Sequence, residues 1–387
     1  MGLGNADRRE SRDVCFSTKG TAFPEVLRQR AWEADKMDFT EALRAGEQHR
    51  RPAVGWIIPL LESEGEQERL LFRAADRLRA ETMGDAVHLR GIIEFSNYCR
   101  KNCRYCGLRK NNGSLARYRL TREEIVEAAI KAWQIGYKTI VLQSGEDLHF
   151  SGQLIAEIIR EIKSRTDLAI TLSLGERDKS TYSTWRKAGA DRYLLRIETT
   201  DAHIFKRLHP DDDLAERKRC LFVLKDLGYQ LGSGVMAGLP GQDAASLAED
   251  VIWMRELGVE MIGIGPFIPH PRTPLKDEKG GTLGQALRLV AVLRLVFPYA
   301  HIPATTAMGS LDPLGREMAL QAGANVLMPN ITPTGVRPLY ELYPNKICLD
   351  ENADRCFACV AARIISLNRT IGADHGHVIR EGGALKD

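Results

Sequence analysis

Cys99, Cys103 and Cys106 stand in a C-x3-C-x2-C spacing within Cys99-Arg100-Lys101-Asn102-Cys103-Arg104-Tyr105-Cys106, directly after the apolar run Gly91-Ile92-Ile93-Glu94-Phe95. Iron–sulfur cubanes are ordinarily held by four thiolates, so three in one short loop suit a cluster that leaves one iron open to another ligand. Structural zinc wants four closed ligands, and no fourth Cys or His follows within this loop. A disulfide framework fits less well, because eight cysteines are few for 387 residues and no secretory pattern precedes them. Cys220 falls among apolar neighbours in a helical pattern and reads as core, and Cys15 as a lone thiol.

The elements that must carry this loop are regular from residue 88 onward. Eight short apolar or β-branched runs begin near His88, Lys138, Leu168, Asp191, Gln230, Val259, His301 and Asn325, with seven helical patterns between them. Alternating strands and helices imply a parallel sheet. The first helix opens on a capping box, Thr121 with Glu124, places Ile125, Ala129, Ala132 and Trp133 on one face, and ends at Gly136. Gly189, Gly228, Gly258 and Gly323 recur at the same joint, where a left-handed C′ position favours glycine.

The expected fold is therefore α/β, a complete (β/α)8 TIM barrel over 88–335. A polar N-terminal extension, 1–50, and two amphipathic helices in 51–87 precede it; these helices are expected to cap its bottom. A tail, 336–387, carries a second cysteine trio. An open doubly wound sheet is the alternative, but it would need a dinucleotide fingerprint where this chain has cysteines.

Lys and Arg total 54 against 51 for Asp and Glu, a net charge of +3 with the signs interspersed, which gives no basis for nucleic-acid binding. No apolar run approaches the roughly 18 residues that span a bilayer. The expectation is a cytoplasmic protein, in a compartment whose reducing conditions suit thiolate-bound iron.

Catalytic groups in such barrels sit at the C-terminal ends of strands. Read in order, those ends are polar or glycine-rich: the cysteine loop, Gln143-Ser144-Gly145-Glu146-Asp147, Thr171 to Glu176, Arg196-Ile197-Glu198-Thr199, Gly232 to Gln242, Gly265 to His270, Thr305-Thr306-Ala307-Met308-Gly309 and Met328-Pro329-Asn330. Such an edge suits a small polar ligand.

The cysteine loop after a first strand resembles the signature of the radical S-adenosylmethionine (SAM) enzymes. The stretches IIEFSNYCRKNCRYCGLR, KTIVLQSGED, TLSLGE, GADRYLLRIET, GLPGQ, GIGPFIPHPRTPL, IPATTAMG and ANVLMPN together resemble the HydE family of FeFe-hydrogenase maturases, relatives of biotin synthase and methylornithine synthase, over residues 55–365. The resemblance implies that Cys99, Cys103 and Cys106 ligate a 4Fe-4S cluster that cleaves SAM to a 5′-deoxyadenosyl radical. It implies Tyr105 and Met261 near the adenine, Gln143 and Ser144 at the methionine amino group, Glu198 on the ribose and Arg217 on the SAM carboxylate. Tyr105 and Met261 could equally be packing residues, and Glu198 with Arg217 a structural ion pair.

Thr171, Arg196, Thr305, Thr306, Met328 and Tyr340 match positions lining the family's internal cavity. The implied substrate is an iron complex carrying CO, cyanide and cysteine, made by a partner maturase and used for the two-iron subcluster of the hydrogenase. Ile197 departs from the family's R-H-E-T phrase, with the flanking Arg and Glu intact. The C-x7-C-x2-C trio Cys348, Cys356 and Cys359 matches an auxiliary iron–sulfur site found in some family members; a zinc site completed by a distant His, or free thiols, are the alternatives. A ferredoxin or flavodoxin is the expected electron donor. Two other functions stay open at this point: a radical SAM enzyme on a small organic substrate, and a non-enzymatic iron–sulfur scaffold.

Overall fold

The computed structural model describes residues 37–378, so Cys15 and most of the N-terminal extension lie outside the described residues. The longest strand, β1 (Ala86–Ser96), is buried along almost its whole length, as expected of a parallel strand covered on both faces. It is followed by β2 (Thr139–Ser144), β3 (Ala169–Ser173), β4 (Arg192–Leu194), β5 (Gln230–Ser233), β6 (Met236–Ala237), β7 (Met261–Ile262), β8 (Gly265–Pro266), β9 (Val326–Leu327) and β10 (Thr370–Ile371). All paired strands run parallel: the order is β10-β1-β2-β3-β4-β5-β7, β9 also pairs with β1, and β6 with β8 forms a small separate rim sheet.

The complete eight-ladder barrel is where structure and expectation differ. The strand expected at His301 is represented by single bridges, Met261 to His301 and Pro303 to Val326, and not by a ladder. Pro303 has no N–H to donate toward β7, so the pairing with β7 stops after the His301 bridge. The α/β class and the parallel alternation hold.

The helix Arg122–Ile135 opens on the expected reciprocal cap, with Thr121 N donating to Glu124 Oε2 at 2.7 Å and Glu124 N to Thr121 Oγ1 at 3.2 Å. Its Ile125, Ala129 and Ala132 are buried, but Trp133 is 40% exposed and donates its indole N–H to Asp167. At Gly136, Gly189, Gly228, Gly258 and Gly323 the backbone has positive φ, as the C′ position of a helix requires. Cys220 is buried in the helix Leu214–Asp226.

The two helices ahead of β1, Val54–Leu61 and Glu66–Met83, pack on the nearly all-buried helix Leu283–Val296. Arg288 of that helix clasps both, donating to Leu61 O and pairing with Glu68 at 2.8 Å. Beyond β9, the backbone crosses the cysteine loop and then forms the helix Ala353–Ser366. It returns to pair Thr370 and Ile371 with Ala86 and Val87, at the start of β1.

Candidate active site at the cysteine loop

A cavity of about 410 Å³ opens over the C-terminal edge of the sheet, and Cys99, Cys103 and Cys106 all line it. Backbone hydrogen bonds anchor the loop on several sides: Arg100 N to Glu146 O, Arg104 N to Leu208 O, and Gly107 N to Leu342 O. Close approach makes two glycines necessary. A Cβ on Gly145 would lie 2.2 Å from Tyr98 O, and one on Gly107 would lie 2.0 Å from Glu341 O. Both distances are inside atomic contact, so any side chain would push the loop off its supports.

Burial raises all three thiols, Cys106 up to about 12, and the neighbouring thiolates Cys106 and Cys99 raise Cys103 further. Three sulfurs crowded this way are poor thiolates by themselves and need a cationic partner, which is what cluster iron supplies. The donor set fits a three-thiolate cluster.

Around the loop lies a buried ionic network. Lys101 pairs with Glu176 at 2.9 Å, with Glu146 at 3.7 Å and with Asp212; Arg217 pairs with Glu176 and, at 3.2 Å, with Asp212; Arg100 pairs with Glu146 at 2.5 Å. Three cations thus meet three carboxylates. Burial alone would raise Asp212, but hydrogen bonds from His209 and Lys101 and the charges of Lys101 and Arg217 hold it below the usual carboxylate range. The sequence reading named Arg217 but missed the role of Lys101, Glu176, Asp212 and His209. Their partners are 75 and 111 residues away from Lys101 in sequence, so no local signal joins them.

Glu198 sits at φ +64°, a left-handed backbone that is rare for a residue with a side chain. It is locked there by Glu198 N donating to Gly234 O, Ile197 N to Ser233 Oγ, and Asp250 accepting from Thr200 N and Oγ1. Its carboxylate is buried, 3.0 Å from Arg196 Nη2 and 3.4 Å from the Tyr105 hydroxyl. The Ile197 side chain is wholly buried in the core and absent from the cavity wall.

Gln143, Ser144, Thr171, Arg196, Arg217, Met261, Thr305, Thr306, Met328 and Tyr340 all line the same cavity. Gln143 donates to the Tyr340 hydroxyl at 3.3 Å, and the buried hydroxyls of Thr171 and Thr305 have no partner among the described residues. Met261 accepts a hydrogen bond from Arg90 at 2.8 Å, in the layer where it pairs with Gly232.

Of the second trio, Cys348 reaches the cavity wall in a left-handed backbone, while Cys356 and Cys359 lie one turn apart on the helix Ala353–Ser366. A hydrogen bond with Cys356 and the nearby Arg316 guanidinium bring Cys348 down to about 6.

A family model described as the radical SAM superfamily matches residues 93–254. The FeFe hydrogenase maturase subunit HydE of Thermotoga maritima is 52% identical over 306 residues, 79% of this chain and 88% of that protein. The 3-methylornithine synthase of Methanosarcina acetivorans is 32% identical over 69% of this chain and 75% of its own length. The crystal structure of a methylornithine synthase superposes with a TM-score of 0.74 at 26% identity, covering 86% of this chain and 97% of that one.

Proposed function

Because the chain belongs to the HydE family of FeFe-hydrogenase maturases, within the radical SAM superfamily, we propose that Cys99, Cys103 and Cys106 hold its 4Fe-4S cluster and that SAM binds in the cavity beside them. Bound there, the cluster and SAM supply a 5′-deoxyadenosyl radical. The observation carrying the assignment is that the three thiols, Glu198, Arg217 and the unpartnered hydroxyls of Thr171 and Thr305 open on one cavity.

Arg217 has five N–H donors, of which one each goes to Glu176, Arg196 O and Asp212. One N–H on each terminal nitrogen is left for the SAM carboxylate, a pairing that a guanidinium can make with two parallel bonds. The Glu198 carboxylate accepts from the ribose hydroxyls, while Gln143 and Ser144 meet the amino group. Tyr105 and Met261 face the adenine.

Farther in, Thr171, Arg196, Thr305, Thr306, Met328 and Tyr340 bind the substrate, an iron complex with CO, cyanide and cysteine. Its polar ligands are met by donors that lack a partner among the described residues, the Thr171 and Thr305 hydroxyls and the Arg196 Nε.

The same reading closes the sheet into a complete barrel over 88–335. Support comes from Ile262 N donating to His301 O and Ala304 N to Val326 O, which join β7 to β9 through residues 301–304, and from β9 pairing with β1. It keeps 1–50, 51–87 and 336–387 as flanking segments. Cys348, Cys356 and Cys359 hold an auxiliary cluster, a ferredoxin or flavodoxin donates the electron, other maturases exchange the substrate, and the cytoplasm is the compartment. Among the described residues no helix is long and apolar enough to cross a membrane.

The test is anaerobic. Protein reconstituted with iron and sulfide is added as the sole missing component of a cell-free FeFe-hydrogenase maturation mixture, and hydrogen evolution is measured. Activity that disappears with Cys103→Ala supports the proposal; protein that cleaves SAM yet yields no active hydrogenase would move the substrate to the small organic molecules of the sister enzymes.

A further inference from the structure

His209 follows the helix Ala202–Leu208 and is 2% exposed, between the stacked ring of Phe205 and the edge-on ring of Tyr105. Its Nδ1 lies 3.3 Å from Cys103 Sγ and 3.5 Å from Asp212 Oδ2. The ring lines the cavity, and its other nitrogen, Nε2, is buried with no partner among the described residues. Two acceptors at Nδ1 place the proton there, which leaves Nε2 as an acceptor on a ring that borders the cavity.

We infer that His209 is a positioning residue with two separable tasks: Nδ1–H donates to the Cys103 thiolate, and Nε2 accepts from a donor on bound SAM, a hydroxyl or an amine. The inference rests on the assignment of the cysteine loop to the cluster. Hydrogen bonds to cluster sulfur favour the more negative reduced state and so raise the reduction potential. Asp212, tied to Lys101 and Arg217, fixes the ring, so the electrostatic network of the loop reaches the cluster through this imidazole.

Two near-isosteric substitutions divide the tasks. His209→Asn keeps a donor at the Nδ1 position and removes Nε2; His209→Gln keeps an acceptor at the Nε2 position and removes Nδ1. Midpoint potentials are measured by EPR-monitored redox titration of the reconstituted proteins, and SAM affinity by equilibrium dialysis, with iron content and circular dichroism as checks. The expected result is a lower potential in His209→Gln alone, and SAM binding about fivefold weaker in His209→Asn alone, the size of one hydrogen bond. Equal potentials in all three proteins, or equal SAM affinities, would overturn the inference. Loss of iron from both variants with unchanged circular dichroism would overturn it too, reducing His209 to a support for the loop. Wild-type protein that takes up no cubane would overturn the cysteine-loop assignment as well, and is recognisable before any variant is compared.

Discussion

Glu198 sets function against stability within one residue. A left-handed backbone costs a side-chain-bearing residue about 1–2 kcal/mol, and glycine escapes that cost. Glu198→Gly is therefore expected to be more stable than Glu198→Ala by about 1 kcal/mol in thermal unfolding, while both lose SAM affinity. Equal melting temperatures for the two would show that the strain at φ +64° is relieved some other way. Lys101 poses the opposite case. It faces Glu146, Glu176 and Asp212 with its side chain only 13% exposed, so removing the ammonium strands buried carboxylates. Lys101→Met is expected to destabilise the apoprotein by about 3 kcal/mol in denaturant titration, the penalty of breaking a buried pair. A change within a few tenths would mean that water already screens the network.

Among the elements, the helix Ala244–Leu257 reaches the site through Asp250, which holds the Thr199-Thr200 turn behind Glu198. Burial pushes Asp250 up to about 7 from 3.8, against the hydrogen bonds from Thr200 and Thr199. Between those values the folded protein keeps a proton that the unfolded chain has released. Stability from this group is therefore greatest at low pH, declines as pH rises from 3.8 toward 7, and is level above. Asp250→Asn is expected to flatten that decline in urea titrations across the range; parallel pH profiles for the two proteins would refute it. The crossing segment near Leu342 makes a second prediction. Gly107→Ala would force Glu341 away from the cysteine loop, and the expected outcome is faster loss of iron from the reconstituted protein, followed by iron release to a chelator.

At the scale of the molecule, the N-terminal end of the sheet is sealed by the segment after β10. Arg192, fully buried, donates to His375 O at 2.7 Å and Gly376 O at 3.1 Å and meets His377 Nδ1 at 3.0 Å. Ending the chain at Asn368 removes these three partners of the guanidinium, leaving it Gln230 and Thr139, and frees the start of β1; it is expected to lower stability by at least roughly 3 kcal/mol, about one for each of the three Arg192 bonds. An unchanged melting temperature would mean that the segment only rests on the sheet.

Much of this was legible in the residue order, for local reasons. Strand positions, the capping box of Thr121 with Glu124 and the glycine joints follow from periodicity and from backbone requirements that act within a few residues. The strand-end residues Gln143, Ser144, Thr171, Arg196, Thr305, Thr306 and Met328 share the cavity wall because strand ends lie along one edge of a parallel sheet, whereas Tyr105, Arg217, Met261 and Tyr340 were named only through the family resemblance. Trp133 escaped because helical periodicity marks a face but not how much of it neighbours cover, and Pro303 because its missing N–H stops the pairing toward β7 after one bridge.

What the sequence determined by itself, then, was the alternation of elements, the cysteine spacing and the chemistry three thiols can do. Only the tertiary structure decided which charges face those thiols: Lys101, Arg217, Glu176, Asp212 and His209 come from four separate loops and helices, and their pairing depends on distances no spacing records. It also decided that Glu198 would be held in a strained backbone by Asp250, far along the chain. Electrostatics acts through space and hydrogen bonds need alignment, so both are fixed only once the chain has closed on itself.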